Sequence, residues 1–370
     1  MTAPPASFAS LTTMGVGGPI AQLCTCQTVG ELIEAAHDAW AEGLPWVVLG
    51  GGSNIVAADD PFEGTVIAAR GGEFRVVGSD SDRVVLEVDA GMAWDDLVAT
   101  AVDEGWSGLE ALSGIPGSVG AAPIQNIGAY GAEFADVARG VGFLPEGADA
   151  VEYLPASECE FGYRTSVFKR GLSGVVCTVR LEVSRSSESA PVGYAQLAHA
   201  LGVDLGDRVP LRDVREHVLE LRSSKGMVFR QDDVDSHGCG SFFVNPVVPI
   251  GMLTNLPADS PFWPVSAPAE AAVFPLGESV EQDMPPAPRS GPERVKLSAA
   301  WLIEHSGIRR GFCLPGSGAA VSSKHTLAIT NRGSASANDV LALARFIQTR
   351  VASEFGVVLH PEPILVGFSL

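Results

Sequence analysis

The sequence predicts an α+β chain built from three units. Three observations predict it: a strand, helix and strand run into a glycine turn within the first 56 residues; a β-rich stretch followed by one helix begins near residue 71; and clear helices lie beyond residue 293.

In the first unit "AQLCTC" reads as a strand. "TVGELIEAAHDAWAEG" follows as a helix, with Thr28 and Glu31 in capping-box spacing and Gly43 as its stop. "PWVVLGGGSNIV" then delivers a strand to a glycine turn, where free backbone N–H groups can cradle a phosphate. The Rossmann fingerprint does not fit, because Ile55 stands where its third glycine belongs. In the second unit, "RVVLEVDAG" reads as a strand, and Leu97, Val98, Ala101 and Val102 trace a helix that Gly105 closes. The third unit is expected to start near residue 216 and to carry a Pro- and Ala-rich mobile surface insertion at about 255–293. Beyond it, Val340, Ala344, Ile347 and Val351 form one helical stripe ended by Gly356. "VVLHPEPILVGF" is expected to close the chain as a strand pair interrupted by Pro361 and Pro363.

Composition narrows the function. A chain of 370 residues with 46% hydrophobic content can pack two or three domains. A formal charge of −20 argues against a nucleic-acid or anionic-membrane surface, so an anionic ligand must meet a local basic pocket. No apolar run reaches membrane-spanning length and "MTAPPASFAS" is not a secretory signal, which places the expected location in the cytoplasm. The six cysteines are scattered and read as reduced thiols, and the seven histidines show no zinc-ligand spacing.

"GIPGSVGAAPIQNIGAYGAEF", residues 114–134, is dense in Gly and Ala with Gln125 and Asn126 at its centre. Repeated glycine lets a ligand come against bare backbone, and two amides supply oriented donors and acceptors, so the stretch reads as a ligand-binding loop rather than a linker. Three polar spots are not explained by packing: Arg164 in "FGYRTSVFK", Ser241 in "GCGSFFVNP" and Glu362 in "LHPEPILV". Each alone fits an exposed ion pair, a turn serine or a loop carboxylate as well as it fits catalysis.

Together with "LGGGSNIV", "LRSSKG" and "KLSAAWLIE", in this order, these motifs resemble the UDP-N-acetylenolpyruvoylglucosamine reductases, the MurB family of bacterial peptidoglycan synthesis. The resemblance covers nearly the whole chain. It implies an FAD-binding, vanillyl-alcohol-oxidase-like (PCMH-type) two-part domain, residues 1–70 with 356–370 and 71–215, plus a C-terminal α+β substrate-binding domain over 216–355. The implied activity is that of UDP-N-acetylmuramate dehydrogenase (NADP+): reduction of UDP-N-acetylglucosamine enolpyruvate to UDP-N-acetylmuramate by way of noncovalent FAD, with NADPH as electron source. The resemblance implies that Gly50, Gly51, Gly52, Ser53 and Asn54 hold the FAD pyrophosphate. It also implies that Ile115, Gly117, Ser118, Gly120, Ala121, Ile124, Gln125, Asn126, Gly128 and Tyr130 lie along the cofactor.

Arg164, Ser241 and Glu362 take the catalytic roles by the same resemblance, with Ser241 protonating the α-carbon. Tyr194, Lys225 and Asn245 are implied for the nucleotide sugar, and Tyr194 suggests the subgroup with a tyrosine loop over the substrate. The chain is expected to act as a monomer. The segment between Lys225 and Ser241 is longer and more acidic than the family pattern. Two other readings are an FAD-dependent dehydrogenase of a small alcohol or sugar and a noncatalytic nucleotide-binding module.

Overall fold

The computed structural model describes residues 6–265 and 294–370. The first unit runs α1 (Phe8–Leu11), β1 (Ile20–Cys26), α2 (Val29–Glu42), β2 (Trp46–Leu49), β3 (Ile55–Ala57) and β4 (Phe62–Ala69). β4 lies between β1 and β2 and is parallel to both, so the connection from β1 to β2 must cross over, and α2 makes the crossing. The Thr28 hydroxyl accepts from the Glu31 N–H at 3.2 Å, and Gly43 ends the helix with a left-handed backbone at φ 66°. Leu32, Ala35, Ala36 and Ala39 share one face at 3.6-residue spacing and pack on Ile67 and Ala69 of β4.

The second unit contains β5 (Phe74–Ser79), β6 (Arg83–Asp89), α3 (Trp94–Asp103), β7 (Trp106–Ser107), the short hairpin β8 (Gly128–Ala129) and β9 (Ala132–Glu133), β10 (Ala138–Pro145), β11 (Glu152–Pro155) and β12 (Gly174–Arg185). Its antiparallel sheet has the order β11-β10-β12-β6-β5, with β7 on the end of β12. Leu97, Val98, Ala101 and Val102 are buried on this sheet, as the sequence predicts. The glycine-rich stretch forms two tight turns and the β8–β9 hairpin over the core. α4 (Ala195–Leu201) and α5 (Leu211–Ser224) then pack on each other through Leu197, Ala198, Val214 and Val218. Residue 216, the expected start of the third unit, lies inside α5.

The third unit has a sheet of order β13-β15-β14, made of β13 (Val247–Pro249), β14 (Phe262–Val265) and β15 (Arg294–Leu297). α6 (Ala299–His305), the antiparallel pair β16 (Ala319–Val321) and β17 (Ile329–Asn331) and α7 (Ala337–Phe355) complete it, and the tail returns to the first unit as β18 (Ile364–Val366). Most of the expected insertion lies outside the described residues. Its described beginning is not loop throughout, because Phe262–Val265 pairs with Arg294–Leu297 and the intervening chain therefore leaves and returns on adjacent strands. The acidic segment after Lys225 is pinned by a 2.6 Å Lys324–Asp233 ion pair and by Ser323 and Arg332 donating to Asp235.

Val340, Ala344, Ile347 and Val351 of α7 are completely buried, and Gly356 caps the helix at φ 67°. The expected closing strand pair is half right. Residues 357–360 form no strand, and at Pro361 and Pro363, which lack N–H donors, the pairing is limited to an isolated bridge, Phe243 to Pro361. β18 does form, parallel to β3, with the Ile364 N–H donating to the Asn54 carbonyl at 2.9 Å. This pairing draws the tail against the glycine turn of the first unit. Val16 and Val56 join Phe242, Leu302, Ile347 and Leu359 in one core, so the first and third units are packed as a single body. All six cysteines are free thiols.

Asp59, in the loop after β3, ties these units further by accepting from the N–H groups of Ala337 (2.7 Å) and Asn338 (3.1 Å) at the start of α7. A carboxylate there satisfies two orphan donors and faces the positive end of the helix. Asp59→Ala is therefore expected to cost about 1 kcal/mol, read as a lower urea midpoint with an unchanged m-value.

Candidate active site

A cavity of about 870 Å³ opens between the glycine turn after β2, the loop 115–133 and the third unit. The two glycine loops touch. A Cβ on Gly51 would stand 2.6 Å from the Gly117 Cα, so only bare backbone fits. Ser53 Oγ donates to the Pro116 carbonyl at 2.9 Å, and Asn54 Nδ2 donates to Gln125 Oε1 at 2.8 Å, which locks one loop to the other. Among the described residues, the N–H groups of Gly51, Gly52, Ser53, Gly117 and Ser118 have no acceptor. Converging free N–H groups form an anion cradle. Behind it, Arg70 donates to the carbonyls of Leu49, Gly50 and Ala69 and places a half-buried cation at the strand ends, with no carboxylate paired to it among the described residues. This donor set fits the diphosphate of a dinucleotide.

The cavity is basic although the chain is acidic. Arg164, Lys169, Arg222, Lys225 and Lys296 line it, against Glu133, Asp136 and Glu362. Such a surplus suits ligands carrying several anionic groups.

Of the three expected catalytic residues, Arg164 and Glu362 meet directly. Arg164 Nε lies 3.1 Å from Glu362 Oε1, while its Nη1 donates to the Asn126 carbonyl (3.3 Å) and its Nη2 to that of Gly128 (2.6 Å). Three of the five guanidinium N–H groups are thereby used and two remain. Arg164 holds this position with a left-handed backbone, φ 53°, a conformation shared here by Asn126 and Tyr130. Side-chain-bearing residues keep such a backbone only where their surroundings fix it, and they concentrate at functional sites. Burial pushes the Glu362 carboxyl above the ordinary glutamate range, with Arg164 and Lys169 working in the opposite direction. Ser241 lines the same cavity, and its hydroxyl has no hydrogen-bond partner among the described residues. The Glu362 N–H donates to the carbonyl of Phe242, next to Ser241, at 2.9 Å, so backbone pairing holds the acid and the serine in register.

Tyr130, Tyr194 and Lys225 cluster at another part of the wall. The Tyr130 and Tyr194 rings meet edge to face at 5.7 Å, and Lys225 Nζ lies 5.6 Å from the Tyr130 centroid and donates to Gln196 at 2.8 Å. Tyr130, expected along the cofactor, thus stands with the two residues expected for the nucleotide sugar. Asn245 lines the cavity while its Oδ1 accepts from the Ala299 N–H at the start of α6. Asn126 is placed differently from the expected cofactor contact. It is buried and outside the cavity wall, and its amide bonds Glu133, Gly162 and Ala135, so it shapes the loop from behind. The other expected loop residues line the cavity.

Sequence reasoning missed three cations. Arg222 is buried, donates to the Gly114 and Met227 carbonyls and forms no carboxylate pair among the described residues. Lys296 Nζ lies 4.8 Å from the Tyr163 ring and 5.9 Å from that of Trp263. Lys169 reaches both Gln125 and the main chain of Glu362. The available signal was their place inside "LRSSKG", "KLSAAWLIE" and "FGYRTSVFK".

Comparison with known proteins agrees with this geometry. Residues 19–147 match the family model described as an FAD binding domain, and residues 232–366 match the one described as the C-terminal domain of UDP-N-acetylenolpyruvoylglucosamine reductase. The UDP-N-acetylenolpyruvoylglucosamine reductase of Leifsonia xyli is 52% identical over 100% of both chains. The chain belongs to this reductase family. The reductase of Thermobifida fusca is 48% identical over 98% of this chain and 97% of its own. The crystal structure of the Thermus caldophilus reductase aligns with TM-score 0.62 and 27% identity, covering 98% of this chain and 97% of that one. The chain thus carries an FAD-binding domain and the C-terminal domain of the reductases.

The loop contact gives a direct test of the cofactor cradle in this reductase family member. Gly51→Ala forces the two glycine loops apart, and overpacking of this kind costs about 1–3 kcal/mol. FAD affinity, measured by titrating the apoprotein and following flavin fluorescence, is expected to fall by about 10- to 100-fold.

Proposed function

We infer that the chain reduces UDP-N-acetylglucosamine enolpyruvate to UDP-N-acetylmuramate with FAD as cofactor and NADPH as reductant, a step of peptidoglycan synthesis. The observation that carries the assignment of roles is the Arg164–Glu362 pair, set with Ser241 in the wall of the cavity that also holds the anion cradle. Gly51, Gly52, Ser53, Gly117 and Ser118 would hold the FAD diphosphate. Bound there, FAD would supply the hydride chemistry that links NADPH to the enolpyruvyl double bond.

The chain's own residues must manage the charge and the proton. Hydride arriving at the terminal carbon drives an electron pair through the α-carbon toward the carboxylate. The two free N–H groups of Arg164 can bind that carboxylate in two places and favour the charged transition state over the ground state. Glu362 already accepts N–H groups of Arg164 and Gln125 on Oε1, which leaves Oε2 to carry a proton when the substrate carboxylate approaches. Two bare carboxylates repel, so burial that raises the proton affinity of Glu362 suits this role. Ser241 gives its hydroxyl proton to the α-carbon and recovers one from solvent, the surplus of cations lining the cavity favouring its transient anionic form. Tyr194 and Lys225, with Tyr130 between them, suit the diphosphate of the nucleotide, and Asn245 lines the same cavity.

The division into residues 1–70 with 356–370, 71–215 and a substrate domain follows the same reading, with the last boundary moved past the end of α5 at Ser224. The net charge of −20 supports work in the cytoplasm as a monomer, away from nucleic acid and lipid surfaces. Among the described residues no helix is long and apolar enough to cross a membrane.

Ser241→Ala separates the two halves of the reaction. Bleaching of the flavin absorbance by NADPH is expected at nearly the normal rate, because no proton reaches the α-carbon in that half. Recovery of the absorbance on mixing with the enolpyruvyl substrate is expected to slow by about 10² to 10⁴, the usual loss with a general acid. Equal slowing of both halves in stopped flow, or unimpaired recovery, removes Ser241 from the acid role.

A further inference from the structure

Lys169 is a partly buried cation in the cavity wall that the reaction as described does not use. Its Nζ donates to the main-chain carbonyl of Glu362 at 3.1 Å and to Gln125 Oε1 at 3.4 Å. Gln125 Oε1 also accepts from Asn54, so both donors fix which end of the amide is oxygen, and Gln125 Nε2 is turned to Glu362 Oε1 at 3.4 Å. The lysine is itself anchored. Its N–H donates to Ser166 Oγ, which donates to the Ile124 carbonyl beside Gln125. One ammonium group thus joins the glycine-rich loop to the returning tail.

We propose that Lys169 is a positioning residue that holds Glu362 and Gln125 in one register and favours the ionised form of Glu362 before the substrate arrives. The inference rests on the assignment of Glu362 given above. Four charged or titratable groups face Glu362: Arg164, Lys169, Tyr163 and Cys239. Burial raises the Tyr163 phenol and pushes the Cys239 thiol up to about 12, so both are neutral near pH 7 and only Arg164 and Lys169 carry charge. Arg164 pairs with the Glu362 carboxylate and turns its two free donors to the incoming carboxylate, whereas Lys169 spends its contacts on the Glu362 main chain and on Gln125.

The sign follows from the charge. A nearby ammonium favours the carboxylate, so removing it raises the proton affinity of Glu362 and moves its titration to higher pH. Binding a second carboxylate beside Glu362 draws a proton in, and proton uptake occurs between the titration points of the free and liganded states. The test is calorimetric binding of UDP-N-acetylmuramate to the FAD-loaded enzyme across pH, in two buffers of different ionisation heat. Wild type is expected to take up a proton within a defined pH window. Lys169→Met, and Lys169→Gln as a second neutral variant that keeps a donor, should move the window up by about one pH unit. Lys169→Arg should leave it in place.

An unmoved window in both neutral variants, or an equal move in Lys169→Arg, overturns the inference while leaving Glu362 in its role. Uptake that persists in Glu362→Gln, where Lys169 is intact, instead overturns the assignment of the proton to Glu362, on which the inference stands.

Discussion

A guanidinium and a carboxylate about 200 residues apart in the chain meet at 3.1 Å in one cavity wall, and much of the architecture serves to bring them there. Arg164 comes from a loop of the second unit and is held in a left-handed backbone by two carbonyls of the glycine-rich loop. Glu362 comes from the tail, which is fixed on one side by β18 pairing with β3 and on the other by its N–H on Phe242. The parallel pairing matters because it sets Glu362 two residues before Ile364, whose N–H is bound to the last residue of the glycine turn, Asn54. Cofactor cradle and catalytic pair are thus joined by backbone hydrogen bonds.

Such a pair adds little net stability. Taking two charges out of water costs about as much as their attraction returns, and only loss of one partner is severely destabilising. Its value lies in the unequal pull on the two groups. Arg164 stays charged, whereas burial raises the proton affinity of Glu362 against the pull of Arg164 and Lys169. An acidic chain therefore maintains a cationic pocket containing one carboxyl able to take up a proton when a second carboxylate arrives. The strain at Arg164 and Tyr130 belongs to the same design, since both lie in the cavity wall and are over-determined by their neighbours.

Local chemistry was legible in the sequence. The Thr28 cap, the Gly43 and Gly356 stops and the α7 stripe depend on residues within one or two turns of each other. The glycine loops were legible because no other residue permits the contact of Gly51 with Gly117. What depended on return of the chain was not. Lys169 and Arg222 were not singled out, because their role depends on the tail and the 114–134 loop folding against them. Asn126 reads as a ligand contact because an amide in a glycine loop usually faces the ligand, whereas here its bonds to Glu133, Gly162 and Ala135 turn it inward. The strand pair expected at the chain end lacks its first arm, and Pro361 and Pro363 keep the pairing beyond it to a single bridge.

The central claim is that Glu362, beside a guanidinium, still holds a proton above the ordinary glutamate range. Infrared difference spectra of wild type against Glu362→Gln, recorded across pH on the FAD-loaded enzyme, isolate the carboxylic-acid carbonyl band of this one residue. The account predicts that the band persists above pH of about 4.3, the ordinary glutamate midpoint. A band that disappears at or below that midpoint would contradict it, showing that Arg164 and Lys169 outweigh burial and that Glu362 meets the substrate as a bare carboxylate.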